Sequence, residues 1–311
     1  MPRWEGKSKG TPLGYRIFIG LLRTGGVYPA YFLLRLVSLY YCLFSYRSTK
    51  YSYQYFRRRM LFGRWRSIRA VYRNYYRFGQ TIIDKVVVMA NMPSPFTFEF
   101  DGEAHLRNMI AAQQGGIMLS AHAGNWEVAG HLFQRLQTPV HIVMFDGEHA
   151  RIKAYLESVT GQRRVNIIVI KNDLSHIYAI NDALHKKELV CMHADRFLEG
   201  NKTVRMPFLG HDADFPAGPF LLAATFKVPV SIVFAFKESA THYHLSATPP
   251  RQYSGRRQEG MNDAVRDFVA ALQEKVRQYP EQWFNYYDFW QEDPPAERAA
   301  AGVPGKTAGA H

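Results

Sequence analysis

His122 and Glu127 are the residues of this chain whose types and spacing most directly indicate chemistry. They lie in the segment LSAHAGNWEVAGHLF, residues 119–133. If this turn folds back, Glu127 accepts a hydrogen bond from one ring nitrogen of His122, and the other nitrogen can take a proton from a hydroxyl. The pair predicts general-base catalysis without an enzyme nucleophile. The alternative is a loop histidine followed by a carboxylate that the helix dipole favours in a first turn.

The elements around this pair must place it at the end of a strand. The apolar run GGIMLS, residues 115–120, predicts a strand, and a helix is expected to begin near Glu127. Open α/β sheets bind ligands at the carboxyl ends of their parallel strands. We therefore expect the backbone N–H groups near Gly124 and Asn125, at a helix N-terminus, to bind an oxyanion or a phosphate.

The chain after residue 115 alternates strand-like and helix-like segments. Nearly continuous apolar strands between helices indicate a mainly parallel sheet that is covered on both faces. The fold class is therefore α/β, a single domain with a mixed, mostly parallel sheet covered by helices. Strands are predicted at 115–120, 140–145, 165–170, 188–193, 228–236 and 242–248, and helices at 127–137, 149–160, 174–186, 217–227 and 261–278.

The N-terminal part of the chain differs in composition from this core. Residues 27–46 form an apolar run that is about long enough to cross a bilayer. Arg35 lies near its centre, where a charge is unfavourable in a membrane. We prefer a helix on the membrane surface or shallowly inserted over a true span, and a buried core helix is the third interpretation.

Residues 47–79 carry nine arginines interleaved with tyrosines, and the whole chain has a net charge of +13. This mix matches a helix in a lipid interface, but nucleic-acid surfaces and solvated helical faces resemble it. The neighbouring apolar run favours anionic lipid over nucleic acid. The predicted division is a polar N-terminus at 1–14, a membrane-associating helical region at 15–80, the α/β domain at 81–293 and a disordered tail at 294–311.

Two further observations concern the compartment. Cys42 and Cys191 are too few for a disulfide framework and fit a reducing environment. Residues 1–13 show no signal-peptide pattern. Together with the basic, apolar N-terminal region, these features predict the cytoplasmic face of a membrane.

Three blocks of the sequence resemble one family. The motif His122-x4-Glu127 in HAGNWE is similar to the histidine–x4–acidic motif of the lysophospholipid acyltransferase superfamily, and GNWE resembles its branch of lipid A biosynthesis late acyltransferases. Residues 193–230 resemble that branch's second block, in which an acidic residue ends a strand and a Pro-x-Gly turn opens a helix. Residues 279–290 resemble its closing aromatic segment. The matching positions of the second block are Asp195, Arg196, Phe208, Gly210, Pro216 and Gly218.

The details of these blocks look closest to one less characterised branch of the family. ADRF, FPAGPF and WFNYYDFW resemble acyltransferases found beside aryl-polyene- and flexirubin-type pigment genes. Asp195-Arg196 stands where the lipid A enzymes usually carry Asp-x-Asp-x-Gly. The resemblance extends over roughly residues 100–290.

The resemblance implies an acyltransferase that needs no metal and no cofactor. His122 would remove a proton from the acceptor's hydroxyl or amine, and Glu127 would hold the imidazole tautomer. The donor would be an acyl-carrier protein or acyl-coenzyme A thioester, and the acceptor a lipid A-type lipid, an aminolipid or a polyene pigment. The expected location is the bacterial inner membrane, reached peripherally or through a single N-terminal anchor, without a nucleic-acid partner.

Substrate-binding residues follow from the same resemblance. Arg196 would bind a phosphate or stabilise an oxyanion, or instead form an ion pair with Asp195 or Glu199. Gly218 would contact a ligand or only shape the turn. The substrate-binding residues expected from the sequence are Gly124, Asn125, Asp195, Arg196, Phe208 and Gly218.

Two other functions compete with acyl transfer. Histidines and aspartates near several predicted strand ends would suit a metal-dependent hydrolase, but the chain has no HExxH motif. A non-catalytic module that binds anionic membranes or nucleic acid would account for the Arg/Tyr segment but not for the strand-end pair. The residues that a metal site would draw on are His122, Asp146, His149, His193 and Asp195.

Overall fold

The apolar runs of the sequence form the inner strands of a mixed sheet. The structure, a computed structural model, describes residues 12–90, 92–126, 128, 136, 138–145, 165–171, 173–198 and 200–290. Within these residues the sheet has seven strands in the order β1-β9-β8-β2-β5-β3-β4. The strands, with a separate β6–β7 hairpin, are β1 Thr97–Asp101, β2 Gly116–Ser120, β3 Val140–Phe145, β4 Val165–Ile170, β5 Leu189–His193, β6 Thr203–Phe208, β7 His211–Pro216, β8 Val230–Lys237 and β9 His242–Ala247.

Neighbouring strands of the sheet are parallel except for one pair. β8 and β9 run antiparallel, and every other neighbouring pair is parallel. The carboxyl ends of β2, β5 and β8 therefore meet at one edge. This confirms the predicted α/β class with a mixed, mostly parallel sheet, and the predicted strands agree closely with the observed ones.

Helices cover the sheet on both faces. One core cluster packs β2, β5 and β8 side chains such as Leu119 and Phe234 against the helices that carry Phe220 and Phe268. The opposite cluster packs Met118 and its neighbours against the short helix before β2. The α-helices in the described residues are α1 Pro12–Gly25, α2 Val27–Phe44, α3 Tyr46–Gln54, α4 Arg64–Met89, α5 Glu103–Ala111, α6 Ser175–His185, α7 Ala217–Phe226 and α8 Arg257–Gln278. A π-helical turn, Tyr55–Arg59, and a 3-10 turn, Pro280–Gln282, also lie in these residues.

Agreement with the predicted helices is uneven along the chain. Helices α6 and α7 lie at the predicted positions, and α8 begins earlier than predicted, at Arg257. The predicted helices at 127–137 and 149–160 fall almost entirely outside the described residues, as does the predicted tail at 294–311. β1, α5 and the β6–β7 hairpin were not predicted. The hairpin turn needs left-handed backbone at both Leu209 and Gly210, which a Phe-x-Gly motif alone does not reveal.

The N-terminal region is helical and packs on the α/β core. α2 lies against α4 so closely that a Cβ on Gly79 would come within 2.3 Å of the Leu34 side chain. α2 is the described helix that is long and apolar enough to cross a membrane, judged by length and composition. The predicted boundary between residues 80 and 81 lies inside α4, which continues to Met89. α4 thus carries both part of the basic segment and part of the core.

Candidate active site

The sheet brings two distant polar residues to the same edge. His122 lies two residues beyond the end of β2, and Asp195 lies two residues beyond the end of β5. These strands are direct neighbours, with Ser120 paired to His193. The strand order, rather than closeness in sequence, therefore places a carboxylate beside the imidazole.

Both oxygens of the Asp195 carboxylate bind His122. The ring Nδ1 of His122 lies 2.8 Å from Asp195 Oδ1, and the backbone N–H of His122 donates to Oδ2 at 3.0 Å. Asp195 is 1% exposed, whereas the His122 side chain is 20% exposed. The carboxylate is thus enclosed while the imidazole is accessible.

The environment keeps Asp195 ionised. Burial raises the pKa of Asp195, but the charge and hydrogen bond of His122, together with Arg196, outweigh burial and hold the pKa well below its ordinary value. An ionised carboxylate accepts a proton-bearing Nδ1, so Nε2 is the ring nitrogen of His122 that carries the basic lone pair. The pair can therefore work as a base with its orienting group.

A second imidazole lies against this pair. The ring centroids of His193 and His122 are 4.4 Å apart, and Trp126 contacts His193 edge-on at 5.0 Å. Burial is the main cause that lowers the pKa of His193 to about 3, and electrostatic repulsion from the neighbouring His122 ring adds to it. His193 therefore stays neutral near pH 7.

The turn after His122 is fixed by backbone hydrogen bonds. Gly124 has a φ of +68°, and a Cβ there would come within 2.0 Å of the Ala235 carbonyl oxygen. The N–H of Gly124 donates to the Gln282 carbonyl at 2.8 Å, and the N–H of Asn125 donates to the Ala235 carbonyl at 2.7 Å. These two N–H groups, which were expected to bind an oxyanion or phosphate, are committed to the fold. An oxyanion would need other donors.

Asn125 itself belongs to a buried polar layer. Its side-chain amide donates to the Thr81 carbonyl and to the Tyr243 hydroxyl, both at 3.2 Å, and the residue is 1% exposed. The Tyr243 hydroxyl also donates to Asp84. The turn that carries His122 is therefore tied to α4 and β9 by side-chain hydrogen bonds.

A buried ion pair forms the centre of this layer. Lys237, at the end of β8, pairs with Asp84 of α4, and both side chains are at most 1% exposed. Lys237 Nζ also donates to the Tyr31 hydroxyl of α2 at 2.6 Å, and Tyr31 donates to Asp84. Burial raises the pKa of Asp84 and lowers that of Lys237, and the attraction between them opposes both shifts. The pair joins the N-terminal helices to the sheet directly beneath the turn.

The remaining predicted site residues lie in different surroundings. Arg196 donates from Nη2 to the Phe284 carbonyl at 2.6 Å, and its guanidinium lies 5.9 Å from the Tyr287 ring centroid. Phe208 is fully buried among aromatic rings, where it packs against Trp283. Gly218 is exposed near the start of α7, and a Cβ added there would meet no atom within 4 Å. Of these three residues, Arg196 is the one linked to His122. Phe284 connects them, because its carbonyl accepts from Arg196 and its N–H donates to the His122 carbonyl.

Glu127 lies outside the described residues, as do Asp146 and His149. The predicted contact between Glu127 and His122 therefore stays a prediction. The structure adds that Asp195, expected to bind substrate, contacts the His122 ring at Nδ1. The position of Asp195 two residues beyond a predicted strand is a sequence signal that could have put this carboxylate at the same edge of the sheet as His122.

His122, His193 and Asp195 also form a group that could hold a metal ion. One ligand atom from each residue lies within 4.8 Å of the others. A metal bound there would compete with the 2.8 Å hydrogen bond between His122 Nδ1 and Asp195. The prediction that the site needs no metal and no cofactor stays a prediction.

The buried pair was missed by the sequence analysis, although a signal for it exists. Lys237 closes the otherwise apolar strand segment VPVSIVFAFK, and Asp84 interrupts the apolar helix segment IIDKVVV. A buried charge within an apolar run is unfavourable unless it is paired. Each of these two residues therefore indicates an oppositely charged partner elsewhere in the chain. The sequence does not identify that partner.

One family model matches most of the chain. The family model described as bacterial lipid A biosynthesis acyltransferase matches residues 66–291, which is more than half of the chain. No curated protein gives a significant match. The matched region begins in α4 and includes the His122–Asp195 pair and the closing aromatic segment.

Proposed function

Because this chain belongs to the bacterial lipid A biosynthesis acyltransferase family, we propose that it moves a fatty acyl group from a thioester to a hydroxyl or amine of a lipid-like acceptor. Family membership makes it an acyltransferase. The proposal adds the donor, an acyl-carrier protein or acyl-coenzyme A, and the acceptor, a lipid A-type lipid, an aminolipid or a polyene pigment. It also adds the roles of individual residues.

The observation that carries this mechanism is the hydrogen bond between His122 Nδ1 and the buried Asp195 carboxylate. Nε2 of His122 takes the proton from the acceptor, whose oxygen or nitrogen then attacks the thioester carbonyl carbon. The carbon–sulfur bond breaks, and the leaving thiolate takes the proton back from the imidazolium. Asp195 holds the tautomer and stabilises the imidazolium. Because the acceptor attacks the thioester directly, no acyl-enzyme is formed.

Arg196 supports the same mechanism from the neighbouring position. It is next to Asp195 in the chain and is anchored to the Phe284 carbonyl at 2.6 Å. A guanidinium near the pair favours negative charge that develops on the thioester oxygen or resides on a substrate phosphate. The role expected of Glu127 from the sequence, to hold the imidazole tautomer, is here assigned to Asp195, and mutation separates the contributions of the two carboxylates.

We place the enzyme on the cytoplasmic face of the inner membrane. The family is membrane-associated, and α2 has an apolar exposed side. Anionic lipid is the proposed membrane partner because the chain carries a net charge of +13.

The test is transfer of a radiolabelled acyl group to a total lipid extract, with acyl-carrier protein and coenzyme A thioesters as separate donors. Wild type should produce a labelled lipid that the His122→Ala variant does not, and the lipid's mass identifies the acceptor. Equal release of free fatty acid by both proteins would contradict the mechanism. Activity that depends on a stoichiometric metal, measured by elemental analysis and chelation, would contradict the metal-free site.

A further inference from the structure

A basic cleft lies beside the candidate active site. It has a volume of about 680 Å³ and is formed by α4 on one side and by the end of α8 with residues 280–282 on the other. Lys237, at the carboxyl edge of the sheet, forms part of its floor. Through Lys237, the cleft reaches the edge of the sheet at which His122 lies.

Four arginines of α4 follow one wall of this cleft. They are Arg66, Arg69, Arg73 and Arg77. Spacings of three and four residues put them on one side of the helix, over a length of about 16 Å at 1.5 Å per residue. We call this row the arginine ridge.

Several guanidinium groups of the arginine ridge are held in place by contacts. Arg66 lies over the Phe62 ring at 3.8 Å from its centroid, Arg73 pairs with Glu281 at 3.2 Å, and Arg77 donates to the Gln80 side chain at 3.1 Å. A guanidinium that is already ordered loses less conformational entropy when it binds an anion. The arrangement therefore favours binding of a group with several acceptor oxygens.

The charges of the cleft leave a positive excess. Glu238 and Glu281 are its acidic residues, and each has a partner: the Tyr279 hydroxyl donates to Glu238 at 2.6 Å, and Arg73 pairs with Glu281. The charge of Lys237 is matched by Asp84 behind it. Four arginines against two glutamates leave a net charge that attracts an anion.

The position of the arginine ridge fits a ligand at a membrane surface. Beside its N-terminal end, Leu61 and Trp65 are 80% and 79% exposed, and Ile68 is exposed as well. Exposed apolar side chains next to arginines match an element that enters the lipid interface. The ridge would then lie at the level of lipid phosphates.

One wall of the cleft is directly connected to the catalytic turn. The Gln282 carbonyl accepts the Gly124 N–H at 2.8 Å, and the Gln282 side chain exchanges two hydrogen bonds with the Lys237 backbone, at 2.8 and 2.9 Å. A ligand seated in the cleft is thus one buried residue away from the turn that carries His122.

We propose that this cleft binds the phosphate group of a substrate or a membrane lipid. A guanidinium group can bind two phosphate oxygens through two parallel hydrogen bonds. A concave site of this size also fits a small charged group better than it fits the convex surface of a protein helix. Which molecule carries the phosphate rests on the proposed function. It is either the donor thioester, through its phosphopantetheine arm, or a lipid headgroup.

The test is calorimetric titration of the full-length protein with inorganic pyrophosphate at constant ionic strength. The variant Arg69→Gln/Arg73→Gln removes two exposed arginines of the ridge and should weaken binding by about tenfold or more. The control variant Arg107→Gln/Arg266→Gln removes the same charge from α5 and α8, where each arginine pairs within its own helix. The control should bind pyrophosphate as wild type does.

Two further probes identify the source of the phosphate. Weaker binding of coenzyme A by the ridge variant would assign the cleft to the donor, and weaker binding of phosphatidylglycerol vesicles would assign it to a lipid headgroup. The proposal is overturned if wild type does not bind pyrophosphate, or if both double variants lose binding equally. It is also overturned if neither coenzyme A nor vesicle binding changes, because pyrophosphate is then an adventitious ion only. None of these measurements requires turnover, so they can fail independently of the acyl-transfer assay.

Discussion

His122 contacts a buried carboxylate on one side and a neutral imidazole on the other. Asp195 holds Nδ1 at 2.8 Å, and the His193 ring lies 4.4 Å away between centroids. The first contact fixes which ring nitrogen of His122 carries the proton, and the second adds no charge near pH 7, because burial lowers the pKa of His193 to about 3. Asp195 and His193, which the sequence suggests as substrate-binding or metal-ligating candidates, therefore surround the His122 imidazole.

Replacement of Asp195 tests its role against that of Glu127. We expect Asp195→Asn to lower kcat by about 10²–10⁴-fold, because an amide can donate to Nδ1 and leave the basic lone pair on the wrong nitrogen. Glu127→Gln should cost less, and His122→Ala should abolish turnover. Acyl-transfer rates at a saturating donor concentration rank the three variants by their loss of kcat. Asp212→Asn, at an exposed position of β7, is the matched control, and a Glu127→Gln protein as inactive as Asp195→Asn would contradict the assignment.

The depressed pKa of His193 also predicts a pH dependence of stability. The unfolded chain binds a proton at His193 near pH 6.5, whereas the folded chain binds it only near pH 3. The free energy of unfolding should therefore fall as the pH decreases below about 6.5, with a limiting slope of about 1.4 kcal/mol per pH unit. Stability above the unfolded pKa should not depend on this group.

Urea unfolding at several pH values between 5 and 7.5 measures this slope, in a range where Asp195 stays ionised in both states. The His193→Gln variant cannot titrate and should show a flatter decline than wild type. Identical slopes in the two proteins would mean that His193 is protonated in the folded state at these pH values.

At the scale of elements, α4 is the connection between the N-terminal region and the catalytic turn. It supplies Asp84 to the buried pair, and its Thr81 carbonyl accepts from Asn125. Asn74 of the same helix donates to the Glu281 and Trp283 carbonyls at 3.0 and 3.1 Å. The helix thus holds both the turn after His122 and the segment 281–283 that is hydrogen-bonded to this turn.

Disruption of the buried pair should affect stability and activity differently. Lys237→Met leaves the Asp84 carboxylate buried without its cation and should cost about 3–5 kcal/mol of stability. Adding Asp84→Leu removes the unpaired charge and should restore most of that loss. The double variant should still show a lower kcat, since Tyr243 loses the acceptor that orients it towards Asn125.

Urea unfolding and acyl transfer measured on the same preparations distinguish these effects. Full activity in the double variant would show that the pair stabilises the fold without positioning the turn. Unchanged stability of Lys237→Met alone would contradict the buried ion pair itself.

At the scale of the whole molecule, α2 carries exposed apolar side chains, and α4, against which it packs, carries exposed arginines. The outer side of α2 exposes Tyr28, Phe32, Leu36 and Leu43, while its inner side packs against α4 through Leu34 and its neighbours. The arginines of α4 follow in the chain. Such a combination is expected of a surface that docks on anionic lipid.

Docking on lipid can be tested with substitutions on the outer side of α2. Phe32→Ser/Leu36→Ser should reduce co-sedimentation with anionic vesicles, because it removes apolar side chains that enter the lipid interface. Tyr178→Ser, at an equally exposed aromatic position of α6, should have no effect. Binding of wild type should also weaken as salt rises from 0.1 to 1 M, where the Debye length shrinks from about 10 to about 3 Å. Binding that ignores both changes would contradict a docking surface on α2.

The sequence by itself determined most elements of the α/β core and the edge of the sheet at which His122 lies. Strands such as Val165–Ile170 and the helix that begins after Pro216 agree with their predicted positions, because apolar runs, helical periodicity and turn residues are local properties. The placement of His122 just beyond a strand end is local in the same sense. These features follow from residues only a few positions apart.

Only the tertiary structure decided which groups meet at that edge. Asp195 reaches His122 because β5 lies next to β2 although β3 and β4 intervene in the chain, and Lys237 meets Asp84 across 153 positions. It also decided that the N–H groups of Gly124 and Asn125 donate to backbone carbonyls. Hydrogen-bond partners depend on strand order and helix packing, which minimise the free energy of the whole chain, so local patterns do not contain them.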